Sequence, residues 1–333
     1  MLGRSRELSH PTGTVIRTPL LIPSFSSRGF GGEREVGKLL DVSKEQLTDS
    51  MLISAYDLYH KLIKRPRRAI ANITFVDSGG YETSDLQDLS TVFVQAWKHH
   101  PWTKARLRQV YDSWPDYVPA VFVNYDDRGS VVQQGKRALS LLRSYPKHLH
   151  AFLVKPKRKE DRFISVDEII NGIDVVEPFH ILGITEKELG SSMIDRMDAI
   201  ARIRLALDDA GLQRVALHIF GGLDPITVPL YFIAGAEIFD GLTWLRFGFC
   251  QGAAWYRQNS GVRLFGVHYS DDHVKLLTLQ QNLLQLSELT MQLRRFLIDL
   301  DFTKLSPNEM AIRNAYDLLR TRNPRFGGNE RVA

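Results

Sequence analysis

Ile73-Thr74-Phe75-Val76-Asp77-Ser78-Gly79-Gly80-Tyr81 sets the pattern of this chain: a short apolar run that stops on a carboxylate and a pair of glycines. The run is continuous rather than alternating, as expected of a strand buried on both faces. The same unit returns downstream. Val118–Asn124, His150–Val154, Phe179–Leu182, Val215–Ile219 and Glu237–Phe239 read as strands, with Asp126, Lys155, Gly183, Gly221 and Asp240 at or just past their ends. Helical patterns alternate with them at Ala105–Ser113, Gln133–Ser144, Ser165–Gly172, Ser191–Ala210 and Thr227–Ala234, and a further helix is predicted over Ser84–His99. Met51–Ile63 reads as a helix or a strand–helix junction, and Pro19–Pro23 as a strand or hairpin arm.

Serial strand–helix alternation over about 200 residues predicts a parallel sheet, either closed or doubly wound. No Gly-x-Gly-x-x-Gly follows the first strand, which weakens the dinucleotide-binding version of the doubly wound sheet. The expected class is therefore α/β, a (β/α)8 TIM barrel. The predicted division is an N-terminal strand extension over 1–45, a catalytic core over 46–270 and C-terminal helices over 271–333. In such a barrel, polar residues just past the strand ends line the catalytic face.

The composition is that of an ordinary globular protein, with 44% hydrophobic and 24% charged residues in 333. The net charge of +5 is concentrated in Lys61–Arg68 and Lys155–Lys159, which are either solvated faces or phosphate contacts. Cys250 is the single cysteine, so neither a disulfide framework nor a cysteine-rich zinc site can form, and a reducing, cytoplasmic setting is expected. Met1–Pro11 is polar, and no apolar run reaches membrane-spanning length, so no secretory leader and no membrane partner are expected.

Taken in order, these motifs resemble the tRNA-guanine transglycosylase superfamily. Phe75–Tyr81 resembles its signature, His218–Pro225 its second glycine-bearing strand end, and Gly235–Asp240 with Arg246 its nucleophile segment. Gly13–Pro19 and Pro23 resemble its opening strands, and Gln281–Leu297 its C-terminal helix, so the match covers most of the chain. The resemblance implies an enzyme that exchanges guanine in nucleic acid for a 7-deazaguanine base such as preQ0, with no cofactor. It implies Asp240 as nucleophile and Asp77 as general acid/base, acting through a covalent glycosyl-enzyme in the manner of retaining glycosidases. It places Tyr81 and Phe220 on the faces of the base, Asp126 (or its neighbour Asp127) at the amino edge, and Gly183 and Gly221 beside it. Arg246, Lys157 and Arg158 are the expected backbone contacts. Glu188 is either a supporting carboxylate or a solvated helix start.

Three departures stand out. The family's Cys-x-Cys-x-x-Cys zinc subdomain is reduced to Cys250, with Gln281 where its histidine is expected, so no metal is assigned. Lys155 replaces a base-contacting glutamine, so it serves a carbonyl or 7-substituent of the base, or else faces phosphate. Glu82 replaces the glutamine after Tyr81. These departures favour the branch that modifies DNA over the tRNA enzymes, with a helper protein left open. The reading from another class is a non-catalytic nucleic-acid-binding partner subunit, against which the presence of both Asp77 and Asp240 weighs.

Overall fold

The computed structural model describes residues 1–28, 35–84 and 99–327. Eight parallel strands close into a barrel. They are β3 (Leu20–Phe25), β4 (Ser50–Ser54), β5 (Ile73–Asp77), β6 (Ala120–Val123), β7 (Leu149–Val154), β8 (Ile181–Thr185), β9 (Ala216–Phe220) and β10 (Ile238–Gly241). They pair in chain order, and β10 closes the ring against β3 with Asp240 opposite Ile22. Two antiparallel hairpins flank the barrel: β1 (Glu7–Ser9) with β2 (Val15–Arg17), and β11 (Phe247–Cys250) with β12 (Ala253–Tyr256).

Alternation of side chains along a strand explains why the apolar runs are continuous. One parity points inward: Leu20 and Ile22, Ile73 and Phe75, Val121 and Val123, and Leu149, Ala151 and Leu153 share one buried cluster. Leu8 and Ile16 of the first hairpin join that cluster, and His10 Nε2 accepts from the Ala120 amide at 3.2 Å, so the hairpin stoppers the N-terminal end of the barrel. The opposite parity, including Leu21, Met51, Ile53, Phe122, Phe152 and Leu217, packs outward with the helices. Each such side chain, fully buried, contributes about 1.5–3 kcal/mol.

The helices begin where short polar side chains can cap them. Ser130 and Ser192 form capping boxes for Val131–Leu142 and Met193–Asp209, and Thr103 caps Lys104–Asp112. After the barrel, a 29-residue helix, Asp271–Asp299, is pinned by Asn282, which accepts from the Phe249 amide at 2.6 Å and donates to the carbonyls of Trp244 and Phe247. Among the described residues no helix is long and apolar enough to cross a membrane.

The closed barrel and the C-terminal helices accord with the expected fold class. The expected division at residue 46 does not match the barrel, which opens at Leu20: β3, placed in the N-terminal extension, is a barrel strand. Pro23 and Ser24 interrupt the apolar run of β3 and disguise it. Met51–Ile63 resolves into β4 followed by the short helix Ala55–Tyr59. The strand pattern at Phe179–Leu182 is shifted to Ile181–Thr185 in β8, because Gly183 and Thr185 pair with His218 and Phe220. Apart from its end residues, the helix predicted over Ser84–His99 lies outside the described residues.

Candidate active site

The inward parity, carried one step beyond the apolar layer, generates the site. At the C-terminal ends of the strands it reaches Ser24 on β3, Ser54 on β4, Asp77 on β5, Lys155 just past β7, Thr185 on β8, Phe220 on β9 and Asp240 on β10. All of them line one pocket of about 570 Å³, a volume suited to a small organic ligand.

Asp240 has three polar partners from two strands, Ser24 on β3 and His218 and Gly221 on and just past β9. Ser24 Oγ donates to Oδ2 at 2.8 Å, while His218 Nε2 lies 3.0 Å and the Gly221 N–H 3.2 Å from Oδ1. Gly221 has φ +80°, the left-handed conformation that glycine adopts without strain, and this turns its N–H toward the carboxylate. Gly221 therefore serves Asp240 as well as lining the pocket.

Asp77 has a contrasting environment. Burial, followed by the neighbouring carboxylates of Asp126, Glu82 and Asp240, pushes its carboxyl well above the usual carboxylate range. Below it lie two further acids with raised values. Burial lifts Glu82 to about 7 although Ser26 and Ser54 both donate to it, and burial lifts Asp57 likewise against donation from Ser27.

The two glycines of the Asp77 turn have identifiable neighbours. Gly79, at φ +82°, lies against Trp102, whose indole N–H donates to the Ser78 carbonyl at 2.8 Å. A Cβ on Gly80 would fall on the Asp126 carboxylate. Asp126 also accepts from Ser78 Oγ at 2.5 Å and lines the pocket, whereas Asp127 turns away to Lys104 at 2.5 Å. Of the two rivals for the amino-edge role, only Asp126 faces the pocket.

Lys155 reaches Glu188 Oε1 at 2.8 Å and Thr185 Oγ1 at 3.0 Å, with Asp126 Oδ2 at 3.8 Å. Its ammonium is thus held within an acid–lysine–acid row along the wall. Glu188 is buried, which corrects its reading as a solvated helix start. Tyr81 lines the pocket with the Arg28 guanidinium 4.8 Å from its ring centroid, and its hydroxyl accepts from Arg246 Nη2 at 2.9 Å. Phe220 stacks on His218, ring centroids 3.8 Å apart.

Gly183 is not on the wall. The space its missing side chain leaves is filled by Phe220, whose Cε2 would lie 2.5 Å from a Cβ there. Lys157 pairs with Glu168 at 3.8 Å, and the Arg158 amide donates to Asp161; neither side chain lines the pocket, whereas Arg128 and Lys159 do. The basic run over Lys61–Arg68 ends far from it: the Arg67 carbonyl accepts from Tyr117, on the loop that enters β6 at the N-terminal end of the barrel. Among the described residues no three His, Cys, Asp or Glu side chains form a metal-binding group.

Ser24 and Ser54, which line the pocket, and His218, buried beside Asp240, are residues to which motif reading gives no role. Their signal is parity: each is a polar residue at an inward position of an otherwise apolar strand. Comparison of the chain with family models and with curated proteins finds no match.

Proposed function

We propose that the protein is a base-exchanging guanine transglycosylase that replaces guanine in nucleic acid with a 7-deazaguanine. The observation that carries this reading is the inequality of two carboxylates in one pocket. Asp240 faces three donors, and Asp77 is pushed toward its protonated form by burial and by its acidic neighbours. A carboxylate held by hydrogen-bond partners beside a carboxyl kept protonated by burial assigns a nucleophile and an acid.

The chemistry divides into two displacements. An Asp240 oxygen bonds to C1′ as the C1′–N9 bond breaks, and the leaving purine takes the bonding pair and the Asp77 proton. The incoming base then gives a proton to Asp77 and attacks C1′, which releases the Asp240 carboxylate. Tyr81 and Phe220 line the same pocket and offer ring faces to a purine, and Asp126 accepts from its amino edge. The target nucleotide must leave its stack to enter, and Arg128 and Lys159 at the pocket provide positive charge for its phosphates.

DNA is placed ahead of tRNA because the segment after Asp240 carries Cys250 alone, and so lacks the ligands of the zinc subdomain that supports RNA contact in the tRNA enzymes. The test supplies labelled guanine with duplex DNA, single-stranded DNA and tRNA separately. Label is expected in DNA and not in the Asp240→Ala protein, whose fold is expected to be intact. Label in tRNA alone refutes the choice of polymer, and full activity of Asp240→Ala refutes the nucleophile.

A further inference from the structure

The His218 ring touches both halves of this chemistry. It is fully buried on β9, with Nε2 3.0 Å from Asp240 Oδ1. One face stacks on Phe220 at 26°, and the ring meets Phe75 edge-on at 5.5 Å. Nδ1 is buried with no hydrogen-bond partner among the described residues. A nucleophilic carboxylate offers only acceptors, so Nε2 carries the proton and Nδ1 the bare lone pair. An imidazole retained only for packing ordinarily satisfies both nitrogens. This one makes its single hydrogen bond to Asp240.

We infer that His218 is the positioning residue for the nucleophile, an inference that rests on the base-exchange reading above. Its Nε2–H and the Gly221 N–H hold Oδ1, so that Oδ2 is the oxygen that bonds to C1′. As that bond forms and C1′–N9 breaks, Oδ1 becomes the ester carbonyl oxygen and still faces both donors. Ser24 gives up its bond to the reacting lone pair of Oδ2. The same ring backs Phe220, so the platform for the base and the plane of the nucleophile share one support.

Two variants separate these roles. His218→Phe keeps a ring and removes the donor: kcat for exchange falls about 10–100-fold while KM for the base stays within about twofold. His218→Gln keeps an amide donor and removes the ring: more of kcat survives, and KM for the base rises. Nitrogen-15 NMR of histidine-labelled protein reads the tautomer without turnover. His218 is expected to show protonated Nε2 and bare Nδ1, with its signals moved in Asp240→Asn. A protonated Nδ1, or wild-type kcat in His218→Phe, overturns the inference. If His218→Phe does not fold, the Gln variant and the tautomer decide. If the wild-type protein exchanges base on no polymer, the base-exchange reading fails, and the tautomer alone decides whether His218 positions Asp240.

Discussion

Asp77→Asn is expected to abolish turnover and to stabilise the fold. The unfolded Asp77 carboxyl loses its proton near 3.8, whereas burial and the Asp126, Glu82 and Asp240 carboxylates keep it protonated well above that in the folded state. Between those two values the folded protein binds one more proton than the unfolded chain. Stability therefore falls as pH rises, by about 1.4 kcal/mol per pH unit for this one group. Asparagine has nearly the shape of the protonated acid and cannot ionise, so the variant lacks this loss. Glu82 and Asp57, which are raised in the same direction, remain in both proteins, and the difference between them isolates Asp77. Urea unfolding of both proteins at pH 5, 6 and 7 is the assay. The variant's advantage should widen by about 1.4 kcal/mol per unit until the folded value is reached. An advantage that is absent, or constant across pH, refutes the assignment of Asp77 as a carboxyl protonated at the cost of stability.

Gly183→Ala places a methyl 2.5 Å from Phe220 Cε2, and is expected to cost about 1–3 kcal/mol and to weaken base binding by tilting Phe220; unchanged melting and unchanged base affinity in calorimetry would contradict this. Lys155→Met strands the buried Glu188 carboxylate and is expected to cost about 3–5 kcal/mol, most of it recovered by adding Glu188→Gln; additive losses in a double-mutant cycle would disprove the coupling. Burial lowers His148 and His180 to about 4, so the unfolded imidazoles take up protons before the folded ones, and stability is lost as pH falls from 6.5 toward 4. The loss is below the full ~3.5 kcal/mol per ring that about 2.5 pH units would give, because solvent screens each incompletely buried ring, and melting curves of His148→Phe should be flatter in that window than those of the wild type.

The barrel was legible because strands buried on both faces leave uninterrupted apolar runs, and β5 through β7 carry them openly. β3 was legible as a strand or hairpin arm but not as part of the barrel, because that place depends on pairing with β10 from the far end of the chain, and Pro23 and Ser24 dilute its local signal. Asp77 and Asp240 stand out as carboxylates at strand exits. What their neighbours do is a matter of three dimensions. Gly79 and Gly80 announce a close approach, but only the fold shows that Trp102 and Asp126 make it. Lys155 is ambiguous from spacing alone, since Glu188 reaches it from beyond the next strand. Arg67 and Arg68 look like phosphate ligands until their loop is traced to the opposite end of the barrel.

The seam where β10 meets β3 has a consequence for the order in which the molecule matures. Ser24 and Asp240, bonded at 2.8 Å, are 216 residues apart in the chain, and the ring shuts only when the strands between them are in place. Contacts of such long sequence separation form late, after shorter loops have already closed. A nascent or half-folded chain can present Asp77 and Tyr81, but not an Asp240 on the last barrel strand held from the first strand and from β9. On the base-exchange reading proposed above, reactivity is thereby withheld from forms in which the ring is open, and the topology itself acts as the safety catch.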